Sequence, residues 1–341
     1  MKKFLGIFTV LIVAVLLVAC NGDNGDNGYE EPTEGGTVGI NNDLLEIDPI
    51  DIGEIVVVTP AAEHGWLAGV IYFAEQAGRD LGLDNLRILT STDVAGQAAQ
   101  LDDLIAQGVG AIVFQPHNPE LELAAERVVE AGIPLIVFNR YVDVDYTAYV
   151  AGSNFQMGAE SARKIGEGLN GEGLVVTVAN PNAGSTNIYR HAGFLSVMEE
   201  YFPNIELFEM TVENFTQEAA LSSMADVLVA QSHIDAVFSI DDESSLGILQ
   251  AIREAGRTEI QFMSGGGGAQ TYFREIDTEE GMTLFTATYS PRMMGDAIRV
   301  AFRYLSGETI SELDENNQWI IPPTIVTRDN VAQFFAEDSP Y

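Results

Sequence analysis

The chemistry-bearing residues of this chain are suited to holding a molecule, and no arrangement for transforming one is visible. No His-Glu-x-x-His, paired Cys-x-x-Cys or calcium-loop spacing occurs. Asp143-Val144-Asp145 alternates carboxylates but lacks the glycine and terminal glutamate of an EF-hand. No serine sits in a Gly-x-Ser-x-Gly elbow. Gly265-Gly266-Gly267-Gly268 is not followed by Gly-Lys-Ser/Thr, so it is no phosphate loop, although four glycines allow backbone to approach a ligand closely. Neither catalytic residues nor a metal or cofactor are expected. What remains is hydrogen-bonding capacity. Arg140 stands just beyond the strand-like run 134–138, one residue removed from it, and a guanidinium offers fixed planar donors that can grip two adjacent oxygens.

Such groups must be carried by a framework, and the chain supplies a regular one from Glu54 onward. Short apolar runs at 55–58, 86–89, 111–114 and 134–138 suit buried parallel strands, and amphipathic segments at 66–81, 97–107 and 121–131 fall between them. The rhythm resumes after Gly152, with strands at 174–178, 205–210, 236–239, 260–263 and 284–288. Helices are expected at 188–201, 218–230, 244–255 and 293–305, and short β-like runs at 319–321 and 324–326. Alternation at this spacing implies right-handed βαβ units, hence an α/β protein of two doubly wound parallel-sheet lobes. Ligands of such sheets sit at the carboxyl ends of strands, and two facing sheets make a cleft.

Ahead of this body lie a leader and a leash. Lys2-Lys3, an apolar run over 4–19 and small residues before Cys20 describe a secretory signal peptide. That run is shorter than the roughly 20 residues needed to cross a bilayer. Leu17-Val18-Ala19-Cys20 resembles the lipobox of bacterial lipoproteins, which implies that Cys20 is acylated and holds the chain to a membrane. Residues 21–53 are polar, acidic and glycine-rich, the composition of a flexible linker. Cys20 is the only cysteine, so no internal disulfide can form.

The 51 acidic residues outnumber the 16 basic ones for a formal charge of −35. Such a surface repels nucleic acid and anionic headgroups, and neither is expected as a partner. Only Lys2, Lys3 and Lys164 are lysines. The excess of carboxylate suits a saline or alkaline habitat, where salt screens self-repulsion; equal stability and solubility at low and high ionic strength would contradict this.

Taken in sequence order, several motifs resemble the sugar-binding lipoproteins of bacterial ABC importers, the ribose-binding-protein-like group of type I periplasmic binding proteins. They are Ile136-Val137-Phe138-Asn139-Arg140, Gly152-Ser153-Asn154 with Gly158, Gly184-Ser185-Thr186 with Arg190 and Gly193-Phe194, and Phe238-Ser239-Ile240-Asp241-Asp242-Glu243 with Leu246-Gly247. The similarity runs over about residues 54–327. It implies two lobes joined by a three-crossing hinge near Ser153, Ser290 and residues 320–323. The lobes are then 54–153 plus 290–320 and 154–289 plus 321–341, behind the signal peptide 1–20 and the acidic linker 21–53.

The resemblance also implies site residues. Arg140 and Arg190 fall where the family bonds sugar hydroxyls; Asn139 replaces its usual aspartate, and Asp241 stands where asparagine is usual. Trp66, just after Glu63-His64-Gly65, and Phe215 fall where aromatics cover the ring faces. Tyr289 takes a place often held by glutamine. Glu63 is a further candidate, His64 an oriented loop residue, and Thr59, Gln115 and His117 are weaker ones at strand ends. Gly266 replaces a ligand-binding aspartate, which implies a wider pocket or specificity resting on Asp241, Asp242 and Tyr289. The implied function is capture of a sugar or polyol between the lobes and delivery to an ABC permease, by a monomer that works outside the cytoplasm. A sensory receptor with the same clamshell, or a furanose signal, cyclitol or nucleoside as ligand, are the alternatives. A cytoplasmic regulator of the lac-repressor type is excluded by the leader and the charge.

Overall fold

The computed structural model describes residues 53–62, 65–83, 86–336 and 338–341; the expected signal peptide, Cys20, nearly all of the expected linker, Glu63 and His64 lie outside them. The first sheet holds β1 (Ile55–Pro60), β2 (Arg87–Ser91), β3 (Ala111–Phe114), β4 (Leu135–Phe138), β5 (Ala148–Gly152) and, from far along the chain, β11 (Gln318–Ile321). They lie in the order β11-β5-β4-β3-β1-β2, all parallel. The second sheet holds β6 (Glu172–Ala179), β7 (Asn204–Thr211), β8 (Ala236–Phe238), β9 (Phe262–Gly267), β10 (Thr283–Thr288) and β12 (Ile325–Val326). Its order is β12-β10-β9-β8-β6-β7, with only β12 antiparallel to its neighbour.

Helices cover both faces of each sheet, which is why strand residues of both parities are apolar. Ile55 and Val57 of β1 join a core with α1 (Gly65–Leu81) and α9 (Met293–Leu305), while Val56 and Val58 join one with α2 (Val94–Gln107) and α3 (Glu122–Glu130). In the second lobe, α4 (Asn154–Gly168) and α5 (Ser185–Tyr201) cover one face, and α6 (Gln217–Ala230), α7 (Asp242–Glu254) and α8 (Gln270–Thr278) cover the other. The chain passes between sheets three times: from β5 into α4, from β10 into α9, and from β11 into β12.

Three elements have no counterpart in the periodicity reading. Strand β5 reads Ala-Tyr-Val-Ala-Gly and lacks a long apolar run. Helix α4 carries Gly158, Gly166 and Gly168, each of which lowers helix propensity by about 1 kcal/mol against alanine. Helix α8 has nine residues and starts directly after the glycine run. Tertiary packing holds all three.

Candidate functional site

Two glycines fix the frame of the site. A Cβ at Gly158 of α4 would overlap the Arg190 carbonyl of α5, and a Cβ at Gly193 would overlap the Phe155 carbonyl. Without side chains at these positions the two helices touch backbone to backbone, and Arg190 is carried into the interior. It is 7% exposed. Its Nε donates to Asn154 Oδ1 at 2.8 Å, and its Nη1 donates to the Ile240 carbonyl. The guanidinium carbon lies 5.2 Å from the centre of the Tyr289 ring, a cation–π contact in a buried setting. Burial depresses the guanidinium pKa, while Tyr289, Tyr341, Asp241 and Asp242 push it back up.

Next to Ile240 stands Asp241, the N-cap of α7. Its Oδ1 accepts from the Ser244 amide at 2.8 Å, as a capping aspartate does. Its Oδ2 is buried and has no hydrogen-bond partner. Burial is the main cause that raises its pKa to about 6; the adjacent Asp242 adds to this, and the Ser244 bonds and Arg190 oppose it. Asp242 is different: it is fully buried, but Oδ2 accepts from the amides of Gly268 (2.6 Å) and Ala269 (2.7 Å), and Oδ1 from Thr286 Oγ1 (2.8 Å). Asp242 therefore ties α7 to the turn after β9, and of the two carboxylates it is Asp241 that keeps a free acceptor, next to the likewise unpartnered Ser244 Oγ.

From the first lobe, Asn139 stands just beyond β4 with φ of 64°, a left-handed conformation that asparagine tolerates better than most residues. Its Oδ1 accepts from the Tyr289 hydroxyl at 2.7 Å. The Tyr289 carbonyl in turn accepts from Trp66 Nε1 at 2.8 Å, and the Trp66 ring lies parallel to Phe138 at 6.3 Å. One chain of contacts thus joins Trp66, Asn139, Tyr289 and Arg190, and through Ile240 reaches Asp241.

The other expected residues lie elsewhere. Arg140 has an exposed surface and its Nη1 donates to the His117 carbonyl, but burial of the guanidinium lowers its pKa and Tyr289 opposes this, so it borders the cluster. Phe215 is 37% exposed in the loop between β7 and α6, in no ring contact with Trp66. Thr59, Gln115 and His117 belong to a closed network: Thr59 Oγ1 donates to Gln115 Oε1 (2.9 Å), Gln97 Nε2 to the Gln115 carbonyl (3.0 Å), the His117 amide to Gln97 Oε1 (2.8 Å) and His117 Nε2 to the Ser91 carbonyl (2.9 Å). The extra room expected at Gly266 is not there. A Cβ at that position would lie 2.5 Å from the Ile240 carbonyl, because β9 runs directly against the segment before α7. Residues whose part was not read from the sequence are Asn154, which holds Arg190, Gln97, and Tyr341, which lies against the same strand ends.

Residues 55–309 match the model of the periplasmic binding protein domain. The match spans most of the chain, which belongs to that family. Among its relatives, a xylitol-binding protein of Mycolicibacterium smegmatis is 28% identical over 246 residues, covering 71% of this chain and 68% of the relative. A D-apiose import binding protein of Actinobacillus succinogenes is 24% identical over 213 residues, covering 62% and 68%. In fold, the chain is similar to an ABC transporter solute binding protein of Bacillus halodurans with bound myo-inositol (TM-score 0.70, 22% identity, 85% of this chain and 98% of that one).

Proposed function

We propose that this chain is the solute receptor of an ABC importer: it closes on a small sugar or polyol between its lobes, delivers it to a membrane permease and releases it unchanged. The observation that carries the reading is Asp241 Oδ2, a buried carboxylate oxygen with no donor, set beside the buried Arg190. An unsatisfied acceptor in a dry site is costly, and a ligand hydroxyl relieves that cost. Arg190 and Asn139 supply further groups for vicinal hydroxyls, and Trp66 and Tyr289 supply apolar surface for the C–H faces of a ring or chain. Arg140 and Phe215 lie outside the buried cluster and act at its rim; Glu63 is kept as a candidate. The names of the relatives, xylitol-binding and apiose import among them, support a polyhydroxylated ligand of modest size.

Opening and closing take place at the three passages between sheets, with lobes of 54–153 plus 290–320 and 154–289 plus 321–341. Ligand contacts both lobes only when they are closed, so binding shifts that population. The receptor acts as a monomer outside the cytoplasm, anchored through acylated Cys20 by a linker that spaces it from the membrane. Two experiments test this reading. Calorimetry against pentoses, pentitols, hexoses and inositols should give heat with at least one, with a Kd in the micromolar range (about −8 kcal/mol) and the ligand recovered intact; silence across the set from a folded protein removes the reading. Cys20→Ala should release the protein from cell membranes into the medium or periplasm, and unchanged membrane retention would remove the anchor.

A further inference from the structure

The glycine run at the end of β9 has a partner at the far side of the sequence. A Cβ at Gly265 would overlap Asp242 Oδ1, and one at Gly266 would meet the Ile240 carbonyl. At Gly267, whose φ of 140° already disfavours other residues, a Cβ would overlap the hydroxyl of Tyr341. The same tyrosine reaches α1 of the first lobe. A Cβ at Gly65 would lie 3.3 Å from its Cδ2, and one at Gly69 would lie 3.1 Å from its Cβ. Three positions without side chains, one in the second lobe and two in the first, therefore lie along a single tyrosine, at its hydroxyl, its ring and its Cβ.

The segment that brings Tyr341 there is anchored on α8. The Ala336 amide donates to Gln270 Oε1 at 2.8 Å, Gln270 Nε2 donates to the Phe334 carbonyl at 3.3 Å, and the rings of Phe334 and Phe335 lie 5.9 and 6.3 Å from that of Phe273. Ser339 Oγ donates to the Tyr341 carbonyl at 2.6 Å, fixing the local turn. Burial, then the charges of Asp242 and Asp241, hold the phenol pKa well above its usual value, with Arg190 opposing. The hydroxyl stays protonated at neutral pH and can donate as well as accept. It sits at Gly267, beside Asp242 and within electrostatic reach of the Asp241 and Arg190 that carry the proposed site.

We propose that Tyr341 is a specificity-determining wall of the ligand site, filling the room left at Gly267 and excluding ligands larger than the one this receptor takes. The inference rests on the sugar or polyol reading given above. A wall of this kind acts by repulsion, rejecting larger molecules more than it attracts smaller ones. Its hydroxyl adds one hydrogen bond to the accepted ligand.

The test is calorimetry of the full chain and its Tyr341→Ala and Tyr341→Phe variants against xylitol, ribose, myo-inositol and the larger maltitol, with thermal melts as a check on folding. Tyr341→Ala should bind the ligand preferred by the unaltered protein about ten-fold more weakly and bind at least one larger compound about ten-fold more tightly. Tyr341→Phe should keep the ranking and lose about five-fold, the effect of one neutral hydrogen bond. Affinities within two-fold of the unaltered protein overturn the proposal. So does a loss with no gain for any larger compound, and so does a common gain for all four, which would make the ring an occupant that ligand displaces. Silence of the unaltered protein toward all four strikes the sugar or polyol reading, whereas binding that is indifferent to Tyr341→Ala strikes only the wall.

Discussion

At the strand ends of the first sheet, Thr59, Gln115, Gln97 and His117 donate and accept among themselves and to Ser91, closing on one another. At the strand ends of the second sheet, Arg190 is held by Asn154 and Ile240, yet beside it Asp241 keeps one buried oxygen with nothing to accept from. The two polar clusters occupy equivalent places in similar lobes and differ in completeness. A closed network stabilises the lobe that contains it, since each of its bonds is worth about 1 kcal/mol net. An open acceptor costs stability while unpaired, and on the proposed function a hydroxylated ligand would supply the missing donor. Residue type alone does not separate the two cases; the partner count does.

The sharpest way to break this contrast is Arg190→Ala. Hydrogen bonds to charged groups are worth about 1.5–3 kcal/mol each, so losing the guanidinium's bonds to ligand, together with its hold on Asn154 and Ile240, should weaken ligand binding about 100-fold or more in calorimetry. Affinity within a few-fold of the unaltered protein would place the ligand elsewhere. Asp241→Asn comes next. Asparagine caps a helix as well as aspartate, so the melting temperature should hold or rise as a buried charge is removed. Affinity should nonetheless fall by about 10–100-fold because the free acceptor becomes a donor.

The pH dependence sharpens the same point. With the Asp241 pKa raised to about 6, the folded protein binds more protons than the unfolded chain between roughly pH 4 and pH 6. Its contribution to stability is therefore greatest at the acid side of that window and is lost as pH rises through 6. Ligand affinity should run the opposite way, since a donating hydroxyl favours the carboxylate: about ten-fold weaker at pH 5 than at pH 7.5. A flat profile over that range would mean that Asp241 does not accept from ligand as a carboxylate. The smallest effects belong to the first lobe. Arg140→Ala, at an exposed position, should cost about five-fold or less in affinity, and Thr59→Val should cost about 1 kcal/mol in denaturant unfolding with binding unchanged. A Thr59→Val loss in affinity larger than that of Asp241→Asn would reverse the comparison.

Most of the architecture could be read from the chain because strands buried on both faces are apolar at every position, as Ile55 to Val58 and Leu135 to Phe138 are. Where glycine interrupts the pattern, as in α4, periodicity does not show the helix, since Gly158 is there to let α4 meet the backbone of the next helix, α5, a contact α4's own sequence does not record. Among site residues, resemblance singled out Arg190, Asp241, Asn139, Trp66 and Tyr289, which the structure joins in one cluster, and equally Arg140 and Phe215, which it leaves exposed. Nothing local distinguishes an arginine that turns inward from one that follows the surface. Tyr341 had no signal at all: it lies beyond the matched span of 55–309, after a short Ser-Pro step, and its partners are three glycines. A missing side chain attracts notice only when the atom that takes its place is known.

The hydrogen bond from the Trp66 indole to the Tyr289 carbonyl has a practical consequence. Tyr289 sits at a passage between the sheets, and only one other tryptophan, Trp319, exists in the chain. Any rotation that disturbs this bond would alter the polarity around an indole, so under the proposed opening and closing the fluorescence of the unlabelled protein should report lobe angle. Substituting Trp319 with phenylalanine would isolate that signal and allow closure to be timed by stopped flow.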